Sequence, residues 1–539
     1  MRVRLWYSRA TGPQRAGGVG VVLVLAALLV LALLPASSKG GAGAQSVAAG
    51  GSGTGAGPAA GAGASGGSGQ VAGSSGSAAA TGAGAIGAPA GSSTAGAAGA
   101  ALTGGGASAG PGGAASAPGG QGACPGCAAP GGAGGGGAGG TQLAASDQGV
   151  TPTTIKVGFL IANTGGLSGS GFVLGLRTDI DQVIKAMVDW VNRHGGVDGR
   201  QLTYVTAKVD PLSSSNQQSA CIQMTEDQKV FAVLDSASTL GAEELCYGAQ
   251  HHVPYFDTGL STVSAGYVAK SFPYQVSTAQ DGTRQVLNWA NYAQSDGLFK
   301  GHKLGILSDQ CAPDPDIVNG DLKPVLAKFG VDPVVVSLSC DSSTAQQQIP
   351  SAVLQMRQAG VNLVLPATIF TNVQVFLETA QSQAWFPKYT ASDYYGMSID
   401  LFTQNFPAQE WNGTQAVTAS LDYQGSLDNP SPQLKDCNDA LAAEGVPPIR
   451  NYDADSEALV HCDSIHLLVA ALKRAGANPT RLSWAQAVQG LGAFPSAFAA
   501  SALFKPGKTE GGDTLGLTQW SGGCKCYGLV RPVNRPAYA

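Results

Sequence analysis

From Asp147 onward the chain alternates between short apolar runs of strand length and longer stretches whose apolar residues recur three and four apart. That alternation confines it to an α/β fold with parallel sheets. Residues 155–161 read as a buried strand, and a Gly/Ser loop follows. Ile180, Val183, Ile184, Met187, Val188 and Val191 then mark one face of a helix that stops at Gly195 and Gly196. Strands over 202–209, 231–234 and 254–256 are separated by helices over 217–229 and 241–250.

A second series begins after Asp281, with helices reaching to 293 and over 318–329, 344–358 and 372–383. Its strands cover 303–307, 333–338 and 362–365, with one more ending near Thr390. Two successive runs of βα units imply two lobes. Ligands of open α/β sheets sit beyond the carboxyl ends of the strands, so two lobes facing each other place a site in the cleft between them. Beyond Asp422 the pattern turns mainly helical, over 436–443 and a long stretch 455–475 that reads as a helix packing back on a lobe.

The N-terminal quarter has a different texture. Glycine, 78 residues of 539, is concentrated there, and 45–146 is almost entirely Gly, Ala, Ser and Thr with scattered Pro. Such a composition buries too little apolar surface to offset chain entropy, so the segment reads as a disordered linker spanning roughly 50–60 Å. Before it, Arg2, Arg4, Arg9 and Arg15 precede an uncharged apolar run from Val19 to Leu34, an export signal in its order of parts. The run is long for a signal-peptide core and short of the roughly 20 residues of a bilayer span. A cleaved signal peptide and an N-terminal membrane anchor therefore both stand for 1–44, with Ala42-Gly43-Ala44 offering a cleavage site. Either reading makes the protein extracytoplasmic, secreted or tethered to the outer face of the cytoplasmic membrane. A formal charge of −5 gives no electropositive field, which excludes nucleic acid as a partner, and any membrane contact runs through the N-terminal segment alone.

Eight cysteines lie in the folded part: Cys221, Cys246, Cys311, Cys340, Cys437, Cys462, Cys524 and Cys526. An even set in an exported chain favours disulfides. Sequential pairing is the expectation, because Cys221 and Cys246 fall on successive helices and Cys311 and Cys340 follow strands of one lobe. Cys124 and Cys127, flanked by glycine, read as a local or intermolecular bridge rather than a redox pair. His251 and His252 are adjacent and His461 and His466 five apart; neither spacing is that of a helical zinc site, and all four read as surface or capping residues. The Gly-rich 165–171 lacks the Lys-Ser/Thr of a phosphate loop, and the G-x-S-x-G at Gly63, Ser65 and Gly67 sits in a tract where chance supplies it. The expectation is therefore a binding protein, not an enzyme, with no cofactor and no metal.

The stretch NRHGGVDGRQLTYVTAKVD at 192–210, one strand, loop and helix after the domain start, resembles the type I periplasmic binding proteins of the leucine/isoleucine/valine group. The resemblance runs from about 154 to 475. It implies two Rossmann-like lobes joined by a hinge, closing on a small-molecule ligand that is handed to an ABC permease. By position it assigns the ligand's carboxylate to Ser238, with Thr239 beside it, and to Ser261, with Gly259 allowing close backbone approach. Asp393 in YTASDYYG takes the ligand's ammonium, Tyr394 neighbours it, Ser168 borders the cleft, and Ile369 or Phe370 stands where an aromatic lid residue is common. Where the family often has an aromatic after the strand ending near Ser308, this chain has DQCAPDPD, so the side-chain pocket is not carried over.

Together these readings describe a two-lobed ligand-binding domain over 147–539. Lobe 1 takes about 147–276 and 422–515, and lobe 2 about 277–421 and 516–539. The expected function is that of an extracytoplasmic receptor for an amino acid or similar small polar solute, with an exported sensor or scavenger of the same fold as the alternative.

Overall fold

The computed structural model describes residues 142–165, 174–237, 241–257 and 263–536. The N-terminal apolar run, the Gly-rich segment with Cys124 and Cys127, Ser168, Ser238, Thr239, Gly259 and Ser261 all lie outside the described residues.

The first lobe is built on a parallel sheet in the order β2-β1-β3-β4-β5, formed by Thr154–Ala162, Gln201–Val209, Ala232–Asp235, Tyr255–Phe256 and Gln275–Val276 as β1 to β5. β1 is central and apolar on both faces, as a strand covered by helices on both sides must be. Helix α1 (Ile180–Arg193) buries Val183, Ile184 and Met187 against it, the face set by their spacing. Helix α2 (Ser214–Ile222) packs on the other side through Ala220 and Cys221 and runs on into a wider turn ending at Asp227. A Cβ at Gly158 would lie 2.6 Å from Met224 Sδ, so that turn reaches β1 only because the strand carries glycine there.

The second lobe carries a mixed sheet in the order β14-β13-β10-β9-β8-β6-β7. Its parallel part comprises β6 (Leu304–Asp309), β7 (Val334–Leu338), β8 (Leu363–Ala367), β9 (Lys388–Ser392) and β10 (Gln415–Thr418). Helix α3 (Gly282–Ser295) precedes β6, α4 (Ser342–Gln358) follows β7 and α5 (Phe370–Ser382) follows β8. After β10 the chain returns to the first lobe. There α6 (Pro432–Ala443), α7 (Ser456–Ala475) and α8 (Arg481–Gln489) join its core, and β11 (Gly492–Phe494) and β12 (Ala502–Phe504) form a small ribbon. It then re-enters the second sheet as β13 (Thr514–Ser521) and β14 (Cys526–Pro536), paired antiparallel. The helical tail expected beyond Asp422 is thus only half of what forms there. The strand signal of β13 and β14 is interrupted by Gly516, Gly528 and Pro532 and by the turn between Ser521 and Cys526.

Four disulfides close in sequential order: Cys221–Cys246, Cys311–Cys340, Cys437–Cys462 and Cys524–Cys526. The second ties the loops after β6 and β7 together at the cleft end of their strands, and the third joins α6 to α7.

Three backbone segments cross between the lobes, near Ser277, Ser420 and Gly512, and they bond to the ribbon segments beside them. Ser277 N donates to Thr509 O at 3.1 Å, Gly511 N to Ser277 O at 2.7 Å, and Ala500 N to Ala419 O at 3.0 Å. A Cβ at Gly512 would meet the Ala279 carbonyl carbon at 2.9 Å, so glycine lets the last crossing lie against the first. Buried Asp463 of α7 fastens the bundle, accepting hydrogen bonds from the Thr278 hydroxyl at 3.0 Å and from Ser496. No helix among the described residues is long and apolar enough to cross a membrane.

Candidate functional site

The carboxyl ends of the strands in both lobes face a common cleft. Its inner chamber, a narrow cavity of about 60 Å³, is bounded from the first lobe by Ala162 at the end of β1, by Ser236 and Ala237 after β3, and by Leu212. From the second lobe come Ile369 and Phe370 at the start of α5, Tyr395 after β9, and Leu401 and Phe402. Leu174 and Leu176 close one side. Their segment is clamped to the start of α7 by Arg177, which pairs with Asp179 at 2.7 Å and Asp455 at 3.0 Å and donates its backbone N–H to Ala454 O. Phe370 stacks on Phe402 with ring centroids 4.0 Å apart. The wall is therefore hydrocarbon from both lobes, suited to a ligand with an apolar body.

The polar lining residues are Thr164, Ser236, Tyr395, Ser456 and Glu457, and Glu457 is the one acid among them. Glu457, in the first turn of α7, is only 6% exposed, and both hydrogen bonds to its carboxylate fall on Oε2: Ser236 Oγ at 3.1 Å and Ala162 N at 3.3 Å. Oε1 has no donor among the described residues. Burial pushes this carboxyl up to about 7; Asp235 nearby adds to the effect, and its two hydrogen bonds and Lys208 oppose it. One turn along α7, His461 is wholly buried, and its Nε2 lies 2.9 Å from Ser236 Oγ while Nδ1 has no partner. A proton on Nδ1 would be a buried donor without an acceptor, so the proton sits on Nε2 and is donated to Ser236. The Ser236 hydroxyl then donates to Leu160 O at 2.9 Å or to Glu457. Burial holds the imidazole at about 3, hence neutral.

A second, much smaller cavity of about 20 Å³ opens from the same point. It shares Ser236, Leu401, Ser456 and Glu457 with the first and adds Asp422, Tyr452 and Asp453. Asp400, Asp422 and Asp453 bring carboxylate oxygens within 4.8 Å of one another. Burial pushes all three up, Asp400 to about 8 and Asp453 to about 6, and repulsion from neighbouring carboxylates adds to it for Asp400 and Asp422. Towards solvent the inner chamber continues into a polar mouth lined by Ser214 of α2 and by Asp309, the Cys311–Cys340 bridge, Ser342 and Asn372 of the second lobe.

Of the described residues expected at the site, Phe370 lines the chamber. Asp393 is 8% exposed and does not line it; its carboxylate accepts hydrogen bonds from Ser398 and from Ala419 N at 2.7 Å, inside the second lobe. Tyr394 turns into that lobe's core and donates to Asp314, whereas Tyr395, held at φ 55°, is the tyrosine that reaches the cleft. His461 is not a surface or capping residue, because α7 packs on all sides and carries it into the core. Sequence reasoning also missed Ser236 and Glu457. For Glu457 a signal was present: it lies four residues before His461, so the two share one face of α7.

Two α/β lobes, hinged by three crossings and enclosing a chamber at the strand ends, define a two-lobed solute-binding architecture. The family model for periplasmic binding proteins matches residues 154–525, and the chain belongs to that family of solute-binding proteins, in its type I form. Among solved structures it is similar to a fatty acid ABC transporter substrate-binding protein from Thermomonospora curvata, at 18% identity and TM-score 0.53, covering 72% of this chain and 94% of that one. It is similar also to a branched-chain amino acid ABC transporter protein from Thermus thermophilus with bound valine, at 16% identity and TM-score 0.53, covering 71% and 96%. A third is a solute binding protein of an ABC transporter from Rhodopseudomonas palustris BisB5 in complex with 3,4-dihydroxy benzoic acid, at 16% identity and TM-score 0.51, covering 72% and 98%. At these identities the likeness is one of fold. No curated protein matches the chain.

Proposed function

We propose that this protein is the extracytoplasmic receptor of an ABC importer, secreted or tethered by its N-terminal segment, and that it captures a compact organic solute by closure of the two lobes. The observation that carries the reading is the inner chamber itself, walled by hydrocarbon side chains from both lobes with one under-bonded carboxylate at its base. Only a closed arrangement of the lobes supplies both walls, so solute binding and lobe closure are coupled.

The solutes named for the similar structures are a fatty acid, valine and a dihydroxybenzoic acid, so fold likeness leaves the solute class open. The lining favours an apolar body over a small, uniformly polar solute. An amino acid's ammonium would have to be met by a group other than Asp393, whose carboxylate is already bonded within its own lobe.

The test is a thermal-unfolding screen of the full chain, disulfides intact, against aliphatic and aromatic amines, acids and alcohols, amino acids and sugars. A ligand that binds only the folded state stabilises it by about 2.7 kcal/mol at a hundred times its dissociation constant. Saturable, concentration-dependent shifts with compounds of apolar body, and none with sugars, are expected. Sugars alone shifting the midpoint, or no class doing so, would contradict the reading.

A further inference from the structure

Glu457 stands where the apolar chamber meets the acid-lined one. The titratable groups around it come from every element packed there: Asp235 from β3, Lys208 from β2, His461 from α7 itself, and Asp422 and Asp453 across the second chamber. His461 is neutral, and the effect of Lys208 on Glu457 is smaller than that of Asp235. No Lys or Arg lines either chamber among the described residues. The junction thus offers acceptor oxygens and negative charge without a countercharge. Meanwhile Ser236 and Ala162 fix Oε2 in place and leave Oε1 open.

We propose that the solute is an apolar amine, its ammonium bonded to Glu457 Oε1 and its hydrocarbon body lying among Leu174, Leu176, Ile369, Phe370, Leu401 and Phe402. This rests on the reading of the cleft as a solute site and deepens it. The two neutral donors on Oε2 do not neutralise a buried carboxylate, and a cation in hydrogen-bond contact with Oε1 supplies the countercharge and a charge-assisted bond. A carboxylate ligand would instead set like charge against ionised Glu457. An alcohol would satisfy Oε1 but leave its charge uncompensated. Ser236 and His461 act as positioning residues, because they touch Glu457 or its partner rather than the ligand's nitrogen.

The experiment is calorimetric titration of the full chain with three matched ligands: phenethylamine, phenethyl alcohol and phenylpropionate. The amine is expected to bind at least tenfold more tightly than the other two at pH 8. Its affinity should fall about tenfold between pH 8 and pH 6 as Glu457, at about 7, takes up a proton. Glu457→Gln, checked for an unchanged far-ultraviolet spectrum, is expected to lose at least tenfold for the amine and less than twofold for the alcohol. The comparison on the unaltered chain decides the matter even where that variant folds poorly. Phenylpropionate or the alcohol binding as tightly as the amine, or Glu457→Gln holding the amine within twofold, would overturn the amine assignment and leave the receptor reading standing. No binding by any of the three, with no shift in the thermal screen, would overturn both.

Discussion

The His461 imidazole and the Ser236 hydroxyl lie 2.9 Å apart, joining the middle of α7 to the end of β3 beneath the ligand chamber. With His461 wholly buried and its Nδ1 facing no acceptor, burial holds the ring neutral while Nε2–H donates to Ser236.

The folded-state value for His461, about 3, lies below the 6.5 of a free imidazole. Below pH 6.5 the unfolded chain takes up a proton that the folded chain refuses, so this contribution is present above 6.5 and is lost as pH falls towards 3. At pH 4.5 it amounts to about 2–3 kcal/mol. Denaturant unfolding at pH 7.5 and pH 4.5 is expected to show a steeper acid loss for the parent chain than for His461→Gln, by about that amount. Equal losses would show that His461 does not titrate on unfolding.

Asp453 works in the opposite sense. Its folded-state value of about 6 is raised above the ordinary carboxylate value of 3.8, mainly by burial, and its Oδ1 has no hydrogen-bond partner. The stability tied to its proton is complete below pH 3.8 and is lost as pH rises through 6. Asp453→Asn removes the charge and supplies a donor towards Asp422. We expect it to raise unfolding stability by about 1–2 kcal/mol at pH 8 and by much less at pH 4.5, read by denaturant titration at both values.

Gly512 sets how closely the hinge crossings approach. A Cβ there would lie 2.7 Å from Gln280 Cγ and 2.9 Å from the Ala279 carbonyl carbon, and that backbone has little room to yield. Gly512→Ala should cost about 1–3 kcal/mol of stability and weaken any solute found in the thermal screen, because the hinge geometry shifts. Gly507→Ala, with nothing within 4 Å of the added carbon but φ at +80°, is the control for backbone strain alone.

Much of the architecture was legible in the sequence because it rests on local periodicity. β1 reads as an apolar run broken by Lys156 alone between Ile155 and Ile161, and α1 shows its buried face through Val183, Ile184 and Met187. The order of βα units fixed the two lobes and the place of the cleft. The site was far less legible. Ser236 and Glu457 are 221 residues apart, and nothing local joins them before the chain folds. Asp393 occupied the expected motif position, but Ser398 and Ala419 N, 2.7 Å away, engage its carboxylate in a way that only tertiary structure decides. Tyr394 and Tyr395 are adjacent and chemically alike, and the positive φ of Tyr395 settles which one reaches the cleft.

The most direct test of cleft capture is an inter-lobe distance. Ser215 of α2 and Ser343 of α4 are exposed residues on opposite lobes, each next to a serine that lines the mouth of the cleft. Nitroxide labels at S215C and S343C, in a chain with Cys124 and Cys127 replaced by Ser, report their separation by pulsed electron spin resonance. At saturating concentration of a solute from the thermal screen, the distance distribution is expected to narrow and move to shorter separations. The same distribution with and without bound solute would contradict capture by lobe closure.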